Sequence, residues 1–103
     1  MVTRGEVWWY EPPEAKPRPH LILTRSEVVP LLTDLLGMPA TRTKRGIPTE
    51  VQVDEADGMP VECVLTADNL SLVQSDFLTR PITTLGTNRM SEVCEAIRIA
   101  TGC

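Results

Sequence analysis

The sequence holds a single histidine, His20, and only three cysteines, none in a C-x-x-C pair. A structural zinc site needs four closely spaced ligands of these kinds, so none is expected. No apolar run approaches the ~18 residues of a membrane span. The opening segment, MVTRGEVWWYEPP, lacks the apolar stretch of a secretory leader. The expected location is therefore the cytoplasm, away from membranes. There is no phosphate-cradling glycine loop, no dinucleotide fingerprint and no Ser-His-Asp set. Aromatic residues amount to 4%. What is present is ordinary for a globular chain: 103 residues, 42% hydrophobic and 23% charged. That length and composition predict one domain over 1–103 with a modest core. The odd cysteine count predicts reduced thiols, with Cys63 and Cys94 in the core and Cys103 at a frayed end.

A net charge of −4 argues against bulk binding of nucleic acid. Its distribution qualifies that. Residues 1–45 carry seven Lys/Arg and five Asp/Glu, whereas residues 46–103 carry three and nine. The basic residues group as Lys16, Arg18 and Arg25, then Arg42, Lys44 and Arg45. A local basic patch on an acidic molecule still suits phosphates.

Short strand-like stretches dominate. GEVWWY (5–10) is aromatic and β-branched, and TEVQV (49–53) alternates cleanly. HLILT (20–24) and RPITTLG (80–86) also read as strands. LLGMPAT (35–41) does too, but Gly37 and Pro39 place it at an edge or a bulge. ECVLTADNLSLV (62–73) reads as one strand or a bent pair. The four prolines of EPPEAKPRP make a loop, and TRTKRGIP (41–48) makes a basic one. Pro30 disrupts any long helix in SEVVPLLTDLL, and SDFL reads as one helical turn. At the end, Met90, Val93, Cys94 and Ile97 recur at helical spacing, with Thr87 as N-cap and Gly102 as stop. The order predicts a mainly β fold: a small curled sheet or open barrel with one amphipathic helix packed on it.

Candidate chemistry concentrates at KPRPHLILTR (16–25). Pro17 and Pro19 restrict the backbone around Arg18, and Pro19 drives Arg18 toward extended geometry. A cation held this way suits a fixed anion, although a loop-to-strand junction looks the same. TRTKRG (41–46) offers hydroxyls and cations together, as phosphate contacts require. Taken alone it also fits a solvated hairpin tip. His20 titrates near neutrality but begins an apolar strand, which favours a half-buried ring with one backbone hydrogen bond. Alternation sends Trp8 and Tyr10 to one face and Trp9 to the other, where one face is core and the other is free to stack a base or line a dimer contact. Asp68-Asn69 reads first as a turn.

In order, RGEVWW (4–9), RPHLILTR (18–25), PATRTKRGIPTEV (39–51), ECVLTADNL (62–70) and RMSEVCEAIR (89–98) resemble the MazF/PemK-type toxins. These are ribosome-independent endoribonucleases of bacterial type II toxin–antitoxin modules. The resemblance runs from about Arg4 to about Gly102. It implies an SH3-like open β-barrel with a C-terminal helix, usually a homodimer, bound and neutralised by a MazE-like antitoxin. It implies cleavage of single-stranded RNA, mRNA or else rRNA or tRNA, without metal or other cofactor. The products are a 2′,3′-cyclic phosphate and a 5′-OH. Two catalytic positions carry over: Arg18, from the RP pair, and Thr41, from PAT. Lys16, His20, Arg42, Thr43, Lys44 and Asn69 are the expected RNA contacts. His20 departs from the small apolar residue usual at its position, Gly37-Met38-Pro39 replaces a more regular run, and the first loop is short. A gyrase-binding poison of the CcdB type shares the scaffold, but it uses an aromatic late in the helix and this chain has none after Phe77. A silent binding domain of the same fold is the other alternative, yet both Arg18 and Thr41 are present.

Overall fold

The computed structural model describes residues 1–103. Seven strands and one helix follow in order: β1 (Glu6–Tyr10), β2 (Arg18–Ile22), β3 (Asp34–Thr41), β4 (Glu50–Val53), β5 (Cys63–Thr66), β6 (Ser71–Gln74), β7 (Leu78–Thr84) and α1 (Thr87–Thr101). All pairings are antiparallel, in the order β4-β5-β3-β2-β1-β7, and β6 also pairs with β3. The end strands β4 and β7 do not pair with each other, so the curled sheet stays open.

β3 is the central strand, not the edge or bulge that Gly37 and Pro39 led us to expect. One of its edges pairs with β2. The other pairs first with β6, through Gly37, and then with β5, from Ala40. Pro39 falls in the gap where one partner gives way to the next, so no ladder on that edge needs its missing N–H. Gly37 suits the close packing here: a Cβ would stand 3.1 Å from Val73 Cγ1 and 3.4 Å from His20 Cδ2, so those side chains would have to give way slightly.

Alternation along these strands builds two apolar clusters on opposite faces. The larger holds Val7, Leu21, Met38, Ala40, Val51 and Leu65, among others, and Val93 and Ala96 of α1 close it. The smaller holds Ile22, Val29, Leu35, Val73 and Leu78, flanked by Trp8 and Tyr10. Each fully buried side chain of this size contributes about 1.5–3 kcal/mol. A helix of 15 residues is marginal alone, so its apolar stripe on the larger cluster is what holds α1.

Other expectations meet the structure in detail. The 62–73 segment is the bent pair, β5 and β6, hinged on a 3₁₀ turn at Ala67–Asn69. Residues 26–36 form only a 3₁₀ turn at Val29–Leu31 before β3 begins, with Pro30 in its first turn. SDFL likewise contains a 3₁₀ turn, Ser75–Phe77. Thr87 is not the N-cap: Gly86 takes that place, and no side chain caps the helix. Gly102 does stop it, at φ 73°, with its N–H donating to the Arg98 carbonyl. Cys94 lies outside the core, exposed, with the Arg4 guanidinium 3.7 Å from its Sγ. Only Cys63 of the three cysteines is buried, because the buried stripe of α1 passes through Val93 and Ala96 instead.

The connection from β4 to β5 turns on Gly58, at φ +92°. A Cβ there would overlap the Thr83 hydroxyl, which donates to the Asp57 carbonyl at 2.8 Å. Gly58→Ala is expected to lose at least the ~1–2 kcal/mol of a left-handed alanine. Urea unfolding reads this directly, and an unchanged midpoint would contradict it.

Candidate functional site

A cleft of about 460 Å³ opens where β2 begins and β3 ends. Pro17, Arg18 and Pro19 form one wall, and Thr41, Arg42 and Thr43 form another. Trp9, Ala40, Met59 and Cys63 line it from the barrel, and Pro60 and Val61 form a lip. Thus two segments, one around Arg18 and one around Thr41, face the same space.

Their relation is fixed by one hydrogen bond. Arg18 Nη1 donates to the carbonyl of Ala40 at 3.2 Å, one residue before Thr41. A guanidinium has five N–H donors, so the others remain available. Thr41 Oγ1 accepts the Thr43 N–H at 3.2 Å, which leaves its own proton free to donate. Neither Arg18 nor Arg42 takes part in an ion pair. The cleft therefore presents uncompensated cations and a hydroxyl donor, the equipment for an oxyanion. The Cys63 thiol at its base is pushed up, by burial first and then by the Glu62 charge, so it stays protonated at neutral pH. No three His, Cys, Asp or Glu side chains form a group suited to a metal ion.

The other expected contacts scatter. Lys16 is exposed in the loop just before the Pro17 wall. Lys44 is exposed and bridges Glu62 at 2.8 Å, outside the cleft lining. Asn69 ends the 3₁₀ turn beside α1 and is not among the cleft residues. His20 is only 7% exposed. Its ring meets Tyr10 edge-on at 5.1 Å, with Nδ1 3.2 Å from the Arg18 carbonyl, and it does not line the cleft. Its one polar contact is with the backbone of Arg18. The far wall, Met59 to Cys63, carried no signal in the sequence, since only the β3–β5 pairing brings it opposite Thr41.

The site is thus a cationic, hydroxyl-bearing cleft at one end of an open, curled β-sheet. The family profile described as "PemK-like, MazF-like toxin of type II toxin-antitoxin system" matches residues 3–101. The chain is 34% identical over 103 residues to "Probable endoribonuclease MazF2" of Mycobacterium tuberculosis, covering 99% of this chain and 100% of that one. It is 40% identical over 82 residues to "Endoribonuclease MazF3" of the same species, 80% of each chain. Among solved structures, "Mycobacterium tuberculosis toxin MazF-mt6" superposes with a TM-score of 0.86 at 35% identity, over 94% of this chain and 96% of that one. An endoribonuclease in complex with its cognate antitoxin, from a mycobacterial species, gives 0.86 at 24% identity over 99% and 96%, a likeness of fold. The chain belongs to the PemK/MazF toxin family. No helix in it is long and apolar enough to cross a membrane.

Burial, above all, holds the His20 imidazole below its ordinary pKa; the contact with the Arg18 carbonyl opposes this and the Arg18 charge adds to it. The unfolded chain therefore takes up the proton first. Stability from this group is complete above about pH 6.5 and declines as pH falls below that value. His20→Phe is expected to flatten the decline between about pH 7 and 5.5. Urea midpoints across that range test it; an equal decline in both proteins would assign the effect elsewhere.

Proposed function

We propose that this chain is a toxin that cuts single-stranded RNA in its Arg18–Thr41 cleft and thereby arrests translation. The observation that carries this is the hydrogen bond from Arg18 to the Ala40 carbonyl, which sets a free guanidinium beside the Thr41 hydroxyl. The ribose 2′-oxygen attacks its own 3′-phosphorus, and the P–O5′ bond breaks. The 2′-OH loses its proton, and the departing O5′ gains one. The product ends are a 2′,3′-cyclic phosphate and a 5′-OH. Negative charge grows on the phosphorane oxygens between these states. Arg18 and Thr41 stabilise that charge, and Arg42 and Thr43 hold the neighbouring phosphate. Arg18 is not the base, because a guanidinium has donors but no acceptor and keeps its protons in proteins. Lacking the 2′-OH, DNA is not a substrate.

On this reading the protein would act in the cytoplasm, where its RNA substrate is. A MazE-like antitoxin would neutralise it, with acidic residues meeting the free cations of the cleft. Homodimer formation is supported by Leu36 and Leu72, which pair in register on β3 and β6 yet are 40% and 66% exposed. Leu31 and Leu32, just before β3, are exposed as well. Apolar clusters of this kind mark contact surfaces.

Arg18→Ala is expected to lower the rate of RNA cleavage by at least about 10²–10³-fold, the cost of one such donor. Arg18→Lys should recover little, since a point charge cannot keep the Ala40 bond and a phosphate contact together. Thr41→Val should cost roughly 10²-fold while preserving shape. Single-turnover rates, with circular dichroism to verify folding, measure all three; a folded Arg18→Ala protein of full activity would remove Arg18 from the mechanism.

A further inference from the structure

Trp9 lines the cleft, on the same face of β1 as the core residue Val7. Its strand neighbours are Pro19 on β2 and Arg80 on β7. The β1–β7 register shifts on both sides of this point, between Val7 and Trp8 and between Trp9 and Tyr10. Such bulges re-aim side chains and occur often beside functional sites. Here they accompany an Arg80 guanidinium lying over the Trp9 ring, 5.6 Å from its centroid. Arg80 is exposed and makes no ion pair with any carboxylate. A cation so placed stays over the ring through the attraction of its π face. The core does not need this pair, since neither residue belongs to either apolar cluster.

We propose that Trp9 and Arg80 form the base-stacking platform of the RNA site, seating the base next to the phosphate that meets Arg18. This rests on the endoribonuclease reading and adds residues from β1 and β7 to it. A planar indole with a planar guanidinium is the surface on which unstacked RNA bases are held. Arg80, over the Trp9 ring, adds positive charge next to that cleft residue. The platform contacts the base, not the reacting atoms, so its loss should appear in KM more than in kcat.

Trp8 provides an internal control. It packs against the smaller cluster on the opposite face, and its Nε1 donates to Glu6 Oε1 at 2.9 Å. The probe is the RNA segment that the wild type cuts, made with one 2′-deoxyribose at the cut position so that it binds without reacting. Binding is expected to quench tryptophan fluorescence in Trp8→Phe but not in Trp9→Phe. Trp9→Leu should weaken probe binding by roughly 10- to 100-fold, and Trp9→Phe should recover most of it. Arg80→Gln should weaken binding and reduce its salt dependence by about one counterion. Quenching that persists in Trp9→Phe, or binding unchanged in folded Trp9→Leu and Arg80→Gln, would overturn the platform alone. A folded wild type that neither cuts nor binds single-stranded RNA would remove the endoribonuclease reading and the platform together.

Discussion

The hydrogen bond from Arg18 to the Ala40 carbonyl is the constraint on which the site depends. It joins the first residue of β2 to the penultimate residue of β3, beyond the point where their ladder ends at His20 and Pro39. Two prolines limit the backbone on one side of that bond. On the other, β3 is fixed by pairing with three strands. The cation therefore has a defined position before any ligand arrives. Such preorganisation matters for charge that appears only in a transition state, because misplacement by ~1 Å can cost about 100-fold in rate.

An acidic protein that works on RNA also has to keep its carboxylates away from the cations that matter. The ion pairs show how this is done. Lys44, Arg89 and Arg98 are engaged by Glu62, Asp57 with Glu92, and Glu95. Arg18, Arg42 and Arg80 are left free. The carboxylates of the second half thus serve the turn before β5 and the helix surface. Exposed pairs of this kind add little to stability, so their value lies in where they leave positive charge unspent.

Local pattern carried much of the fold. The alternation of Glu50–Val53, the aromatic run of β1 and the helical spacing of Met90, Val93 and Ile97 each reported an element through its own periodicity. The centrality of β3 was not legible, because Gly37 and Pro39 obey a rule about lone edges that a strand changing partners escapes. Cys94 misled because helical spacing defines a stripe only to within one residue. Of the site, Arg18 and Thr41 were legible through their motifs and the prolines around them. Met59, Val61 and Cys63 were not, since they reach the cleft only through pairing between distant strands, nor was the Arg80 that the β1–β7 pairing sets over Trp9. His20 shows the two kinds of reading apart: its place at the head of an apolar strand gave a buried ring with one backbone hydrogen bond, as found, whereas the resemblance made it an RNA contact and it does not line the cleft.

The most direct measurement is the cleavage of a long single-stranded RNA in EDTA, with both product ends mapped and identified. The mechanism predicts cuts at one short sequence that leave a 2′,3′-cyclic phosphate and a 5′-OH, and none at a site whose ribose lacks the 2′-hydroxyl. Products ending in a 5′-phosphate, or cutting that survives removal of that hydroxyl, would contradict attack by the 2′-oxygen and with it the role given to the Arg18–Thr41 cleft.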